Sequence, residues 1–103
     1  MKPTKRFKKR YASFILSCEG APLPFSEAKD CVHLHFLSFF GEQGVSSLAF
    51  KLIKYSNADG KGIIRCERGK IDEAIFCMAC LAGWKGKAAR MEPLSTSGTI
   101  RRL

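Results

Sequence analysis

The folded part of the chain opens with strict alternation. Between residues 10 and 18, Ala12, Phe14, Leu16 and Cys18 fall on one side of an extended segment, and Tyr11, Ser13 and Ile15 on the other. A period of two predicts a half-buried β-strand. Gly20-Ala21-Pro22-Leu23-Pro24 breaks the pattern with turn chemistry. The period then lengthens. Ser26 is placed as a helix N-cap with Glu27 in the first turn, and the helix is expected to run to about Phe40 and stop at Gly41. Ala28, Val32, His35, Phe36 and Phe39 form its apolar stripe, and Leu34, Leu37 and Phe40 extend it. One sheet face cannot hide that much apolar surface, so part of it is expected to face a partner.

Alternation returns over residues 47–55, where Leu48, Phe50 and Leu52 oppose Ala49, Lys51 and Ile53. Asn57-Ala58-Asp59-Gly60 is a turn, and a strand over 61–68 completes a hairpin. Ile71, Ala74, Ile75, Met78, Leu81 and Ala82 predict a second helix over 71–84, ended by Gly83 and Gly86. A last strand covers roughly 87–94. The order β-α-β-β-α-β predicts an α+β, ferredoxin-like split βαβ fold. Its four-stranded antiparallel sheet would carry two helices on one face and leave the other face open.

Charge changes this picture. Eighteen Lys and Arg against nine Asp and Glu give a formal net charge of +9 over 103 residues. A domain this basic usually meets a polyanion. Six of the cations, Lys2, Lys5, Arg6, Lys8, Lys9 and Arg10, stand in the first ten residues with no acid among them. Such a block repels itself until an anion neutralises it. The expected organisation is a flexible basic arm over 1–9, an RNA-binding ferredoxin-like domain over 10–96 and a short basic segment over 97–103. The bland reading of the arm is a solubilising tail. The run Tyr11 to Cys18 after that arm has a faint likeness to a lipoprotein signal peptide, but its apolar region is short and contains Ser13. No apolar stretch reaches the ~20 residues that cross a bilayer, so no membrane partner is expected.

Candidate chemistry is sparse. Lys5, Arg6, Lys8, Lys9 and Arg10 are the first candidates for phosphate contacts. Arg65 alternates with Ile63 and Glu67 against Ile64 and Cys66, which aims it at the open sheet face, where a guanidinium forks onto phosphate. A salt bridge to Glu67 is the plain alternative. Arg68 and Lys70 flank the second helix. Ser97, Gly98 and Thr99 offer N–H groups and hydroxyls, with Arg101 and Arg102 alongside; the same residues also suit a simple turn. Cys77 and Cys80 invite a thiol-redox reading, yet they lie within a predicted helix and read better as packing. Five cysteines without regular spacing do not form a disulfide framework and fit a reducing compartment. No nucleophile-and-base pair or metal-ligand spacing stands out, so neither catalytic nor metal-binding residues are assigned. His33 and His35, two apart on a helix, do not make a metal pair.

Four segments together carry a family resemblance: Arg10-Tyr11 at the end of the basic run, Phe40-Gly41-Glu42 followed by Gly44, Gly62-Ile63-Ile64-Arg65-Cys66-Glu67-Arg68, and Ser97-Gly98-Thr99-Ile100-Arg101. In this order they resemble ribonuclease P protein component 2, the small subunit shared by archaeal and eukaryotic enzymes. The resemblance implies a non-catalytic subunit that binds and stabilises the catalytic RNA for removal of the 5′ leader of precursor tRNA. It implies that the protein binds no cofactor, and that Mg²⁺ sits on the RNA. Its implied partners are ribonuclease P RNA, component 3 and, through the complex, precursor tRNA, with self-pairing in a heterotetramer also allowed. A cytoplasmic location follows, or a nuclear one for a eukaryotic source; the short length points to an archaeal one. Relatives often continue past the Ser-Gly-Thr-Ile-Arg segment into another helix, which this sequence does not reach.

Three other classes compete. A phosphate hydrolase on the same fold needs a basic anion loop after the first strand, and Glu19-Gly20-Ala21-Pro22-Leu23-Pro24 has none. A thiol-redox protein would use Cys77 and Cys80. A generic basic protein-interaction module would bind a protein without salt dependence and RNA not at all.

Overall fold

The computed structural model describes residues 9–100 and 103. Strand β1 (Lys9–Cys18) leads into helix α1 (Phe25–Leu48), and β2 (Lys51–Tyr55) and β3 (Lys61–Glu67) form a hairpin. A 3₁₀ turn (Arg68–Lys70), helix α2 (Ile71–Ala79), the short β4 (Gly83–Trp84) and β5 (Lys87–Ser97) complete the chain. All pairings are antiparallel, in the order β2-β3-β1-β5-β4.

The alternation in β1 does what its period demands. Ala12, Phe14, Leu16 and Cys18 are buried against both helices, sharing one core with Ala28, Val32 and Phe36 of α1 and Ala74, Cys77 and Met78 of α2. The rings of Phe36 and Phe50 stack at 4.2 Å between centroids. Gly62 sits in β3 because a Cβ there would stand 2.5 Å from Cζ of Phe14.

The structure corrects five expectations. The sheet has five strands, not four. The extra strand comes from Gly83 and Trp84, which pair with Ala88 and Lys87 around Lys85-Gly86. Positive φ at both Lys85 (49°) and Gly86 (79°) makes this a tight hairpin turn whose twist suits paired strands. The second helix therefore ends at Ala79 and does not reach 84. The first helix starts at Phe25 with Pro24 as N-cap, so Ser26 caps nothing. It also continues past Gly41: that residue leaves the helical region (φ 77°, ψ 173°), and helix resumes to Leu48 before Ala49 closes it in the left-handed region. Consequently β2 begins at Lys51, not at 47.

The face away from the helices is not wholly open. After Ser97 the chain turns, and Ile100 and Leu103 lie beside Ile63, lining with Tyr55 and Lys61 a cavity of about 270 Å³. The Leu103 N–H donates to Ile100 O at 3.0 Å, and Lys61 Nζ donates to Leu103 O at 3.1 Å. Ile63 is 5% exposed. On the same face, the buried Ser13 Oγ accepts the Ser95 N–H at 3.2 Å, where a bulge shifts the β1–β5 register.

Candidate nucleic-acid interface

Cationic side chains gather where β1 begins, β3 ends and β2 begins. Lys9 stands opposite Glu67, Arg10 opposite Cys66, Tyr11 opposite Arg65, and Lys51 also opposite Arg65. Arg68 and Lys70 follow in the 3₁₀ turn. Ser97 lies opposite Tyr11 on its other side. Register alone thus draws Lys51, Arg65, Tyr11 and Ser97 into one row across four strands.

Arg65 projects from the face opposite the helices, because its neighbours Ile64 and Cys66 are fully buried on the helix side. The salt bridge to Glu67 is not made. Among the described residues the only ion pair is Lys85 Nζ with Glu27 at 3.6 Å, and all nine acids of the chain are described. The Glu67 carboxylate turns the other way, with one oxygen 3.2 Å from where a Cβ on Gly69 would stand. The Nε of Arg65 is buried without a hydrogen-bond partner among the described residues. The base of this side chain is therefore buried but unbonded, and among the described residues its charge has no opposing carboxylate.

Arg10 takes a different position. It lies on the helix side of β1, where its Nη2 donates to Thr96 Oγ1 at 3.3 Å. Lys9 and Arg68 are exposed. Ser97 is buried and its Oγ accepts the Thr99 N–H at 3.1 Å. That hydrogen bond makes a local turn and occupies one of the donors considered for phosphate. Lys5, Arg6, Lys8 and Arg101 lie outside the described residues.

Other chemistry is poorly supplied. No group of three or more His, Cys, Asp and Glu that would hold a metal is present among the described residues. Burial pushes the Cys77 thiol up to about 12, with Cys80 adding a smaller push. An active thiolate needs the opposite shift. Cys80 itself is exposed. Among the described residues no helix is long and apolar enough to cross a membrane. The row containing Lys51 and Tyr11 had no motif to announce it; only the strand register brings these residues beside Arg65.

Comparison with known proteins adds a lineage to this geometry. The profile of the Rpp14/Pop5 family matches residues 10–103. Ribonuclease P protein component 2 of Pyrococcus furiosus is 35% identical over 101 residues, which cover 98% of this chain and 83% of the relative. The protein of that name from Methanosarcina barkeri is 36% identical over 100 residues, covering 97% and 72%. A chain in the cryo-EM structure of yeast ribonuclease MRP superposes with a TM-score of 0.72 at 11% identity, over 98% of this chain and 82% of that one, a likeness of fold. With the match spanning β1 to the last described residue, the chain belongs to the Rpp14/Pop5 family, among the ribonuclease P protein component 2 sequences.

Proposed function

We propose that this chain is a non-catalytic protein subunit of ribonuclease P, built on a ferredoxin-like core, that binds the catalytic RNA and stabilises its fold for removal of the 5′ leader of precursor tRNA. The observation that carries the RNA-binding part is the convergence of Lys9, Lys51, Arg65 and Arg68 on one end of the sheet, at the root of the basic segment 1–8, without an ion pair among the described residues. Unpaired cations on a rigid sheet neutralise phosphates and release counterions at little conformational cost. On this reading the protein positions and neutralises. Mg²⁺ held by the RNA supplies the hydrolytic chemistry, component 3 is the protein partner, and the complex works in the cytoplasm.

Reconstitution tests the reading. Cognate ribonuclease P RNA with component 3 is expected to cleave precursor tRNA faster at moderate Mg²⁺ when this chain is added. Neutralising the Lys and Arg residues of 2–10 is expected to remove that gain and to flatten the salt dependence of RNA binding by about 0.7–0.9 per lost phosphate contact on a log–log plot. No rate gain at any Mg²⁺ concentration, with folded protein and active RNA, overturns the proposal in favour of a protein-interaction module.

A further inference from the structure

Tyr11 is the aromatic residue that the strand register places beside Arg65 on the face away from the helices. Its ring is half-buried, yet it has no aromatic neighbour, no cation over its face and no hydrogen bond at its hydroxyl among the described residues. Among the described residues, then, no aromatic ring and no cation is stacked on Tyr11. On one side of it Arg65 carries a charge unmatched by any acid, and Lys51 lies directly across the next strand. On the other side Ser97 is fixed by its turn with Thr99. Directly opposite residues on neighbouring strands hold their Cβ atoms about 5 Å apart, so the ring and the two cations span the distance between a nucleobase and its own phosphate.

We infer that the row Lys51–Arg65–Tyr11 is a binding site for one unpaired nucleotide of RNA. Its base stacks on Tyr11 and its phosphate is held by the Arg65 guanidinium, with Lys51 as an outer charge. The inference rests on the RNA-binding reading and narrows it. A duplex keeps its bases stacked inside and offers Tyr11 nothing, whereas a bulge, loop or strand end presents a free π-face. The fork of Arg65 is suited to a phosphate in a way a lysine is not. Ile100 and Leu103 lie beside Ile63, two residues along the same face, and so bound the site on that side.

Fluorescence anisotropy of the full chain with labelled oligouridine, with an RNA duplex of equal length and with cognate ribonuclease P RNA tests this. Tyr11→Ala is expected to weaken oligouridine binding about five- to a hundred-fold, leaving the salt slope and duplex binding unchanged. Tyr11→Phe keeps the ring and is expected to bind as the parent does, which separates stacking from a folding defect; thermal melts of both variants check the fold. Arg65→Ala should weaken binding and lower the salt slope by about 0.7, and Arg65→Lys should restore the slope but not the affinity. If Tyr11→Ala is folded and binds oligouridine as the parent does, the nucleotide site is refuted while the RNA-binding reading stands. Loss of component 3 binding in that variant, with RNA binding intact, would refute it too and give the face to a protein. If the parent chain binds none of the RNAs, cognate RNA included, the RNA-binding reading itself falls.

Discussion

His35 on α1 and Cys77 on α2 are joined by a hydrogen bond of 2.6 Å, from imidazole Nε2 to the backbone carbonyl oxygen. Because a carbonyl can only accept, Nε2 carries the proton. The contact ties the two helices together through the last turn of α2, where the Cys77 carbonyl also accepts the Cys80 N–H at 3.1 Å. Replacing His35 by Leu keeps the bulk and removes the donor. Urea unfolding of His35→Leu is expected to show a loss of about 1–2 kcal/mol, and His35→Gln, which can still donate, a smaller one.

Gly60 has a stricter reason to be glycine. Its φ is +78°, its carbonyl accepts the Leu16 N–H at 2.8 Å, and a Cβ would run into the Leu16 carbonyl oxygen. Gly86 has nearly the same φ, +79°, and open space around it. Gly86→Ala should therefore cost about 1 kcal/mol, the left-handed penalty alone. Gly60→Ala should cost about 2–4 kcal/mol because backbone must also move. Equal losses in denaturant titrations would contradict the steric argument.

Two phenylalanines on the helices predict opposite outcomes. Phe36 is fully buried and stacked on Phe50, so Phe36→Ala should lose about 3–5 kcal/mol. Phe76 is 63% exposed beside Phe39. Phe76→Ser should change stability by less than about 1 kcal/mol, as thermal melts would record.

The buried thiols give a pH dependence of known sign. Desolvation raises Cys31 and Cys66 to about 11 and Cys77 to about 12, from an ordinary value of 9.0. The folded chain thus holds these protons after the unfolded chain has released them. Their stabilising contribution is fully present below about pH 9 and is lost as pH rises toward 11–12. Cys77→Ala should shallow the fall in stability over that range. At pH 8 a thiol reagent should label the exposed Cys80 at once and the four buried cysteines, Cys18, Cys31, Cys66 and Cys77, only on unfolding.

Much of this arrangement was legible before any coordinates. Strand β1 and the Asn57–Gly60 turn each carried a periodicity or turn chemistry that tertiary contacts had no reason to override. The errors fell where a glycine admits two readings. Gly41 reads as a helix stop, but its neighbours Phe40 and Val45 pack against the core on both sides of the kink, so helix resumes beyond it. Gly83 and Gly86 read as a helix end, and they are the edge and turn of a hairpin too short to show alternation. At the candidate site, Arg65 could be aimed from β3 alone. Its company could not, since Tyr11 and Lys51 stand 54 and 14 positions away in sequence and meet it only through register.

That register has a consequence for the chain as it is made. The central strand β1 is the first to be synthesised, and one of its two partners, β5, is among the last. Until residues 89–97 have left the ribosome, the edge of β1 that faces β5 has no hydrogen-bonding partner. A nascent chain therefore passes through a stage with an apolar strand edge exposed, which invites pairing with the wrong strand. On the RNA-binding reading proposed above, the cations clustered at the start of that strand meet RNA first, and early capture by RNA keeps unfinished chains apart while the last strand arrives.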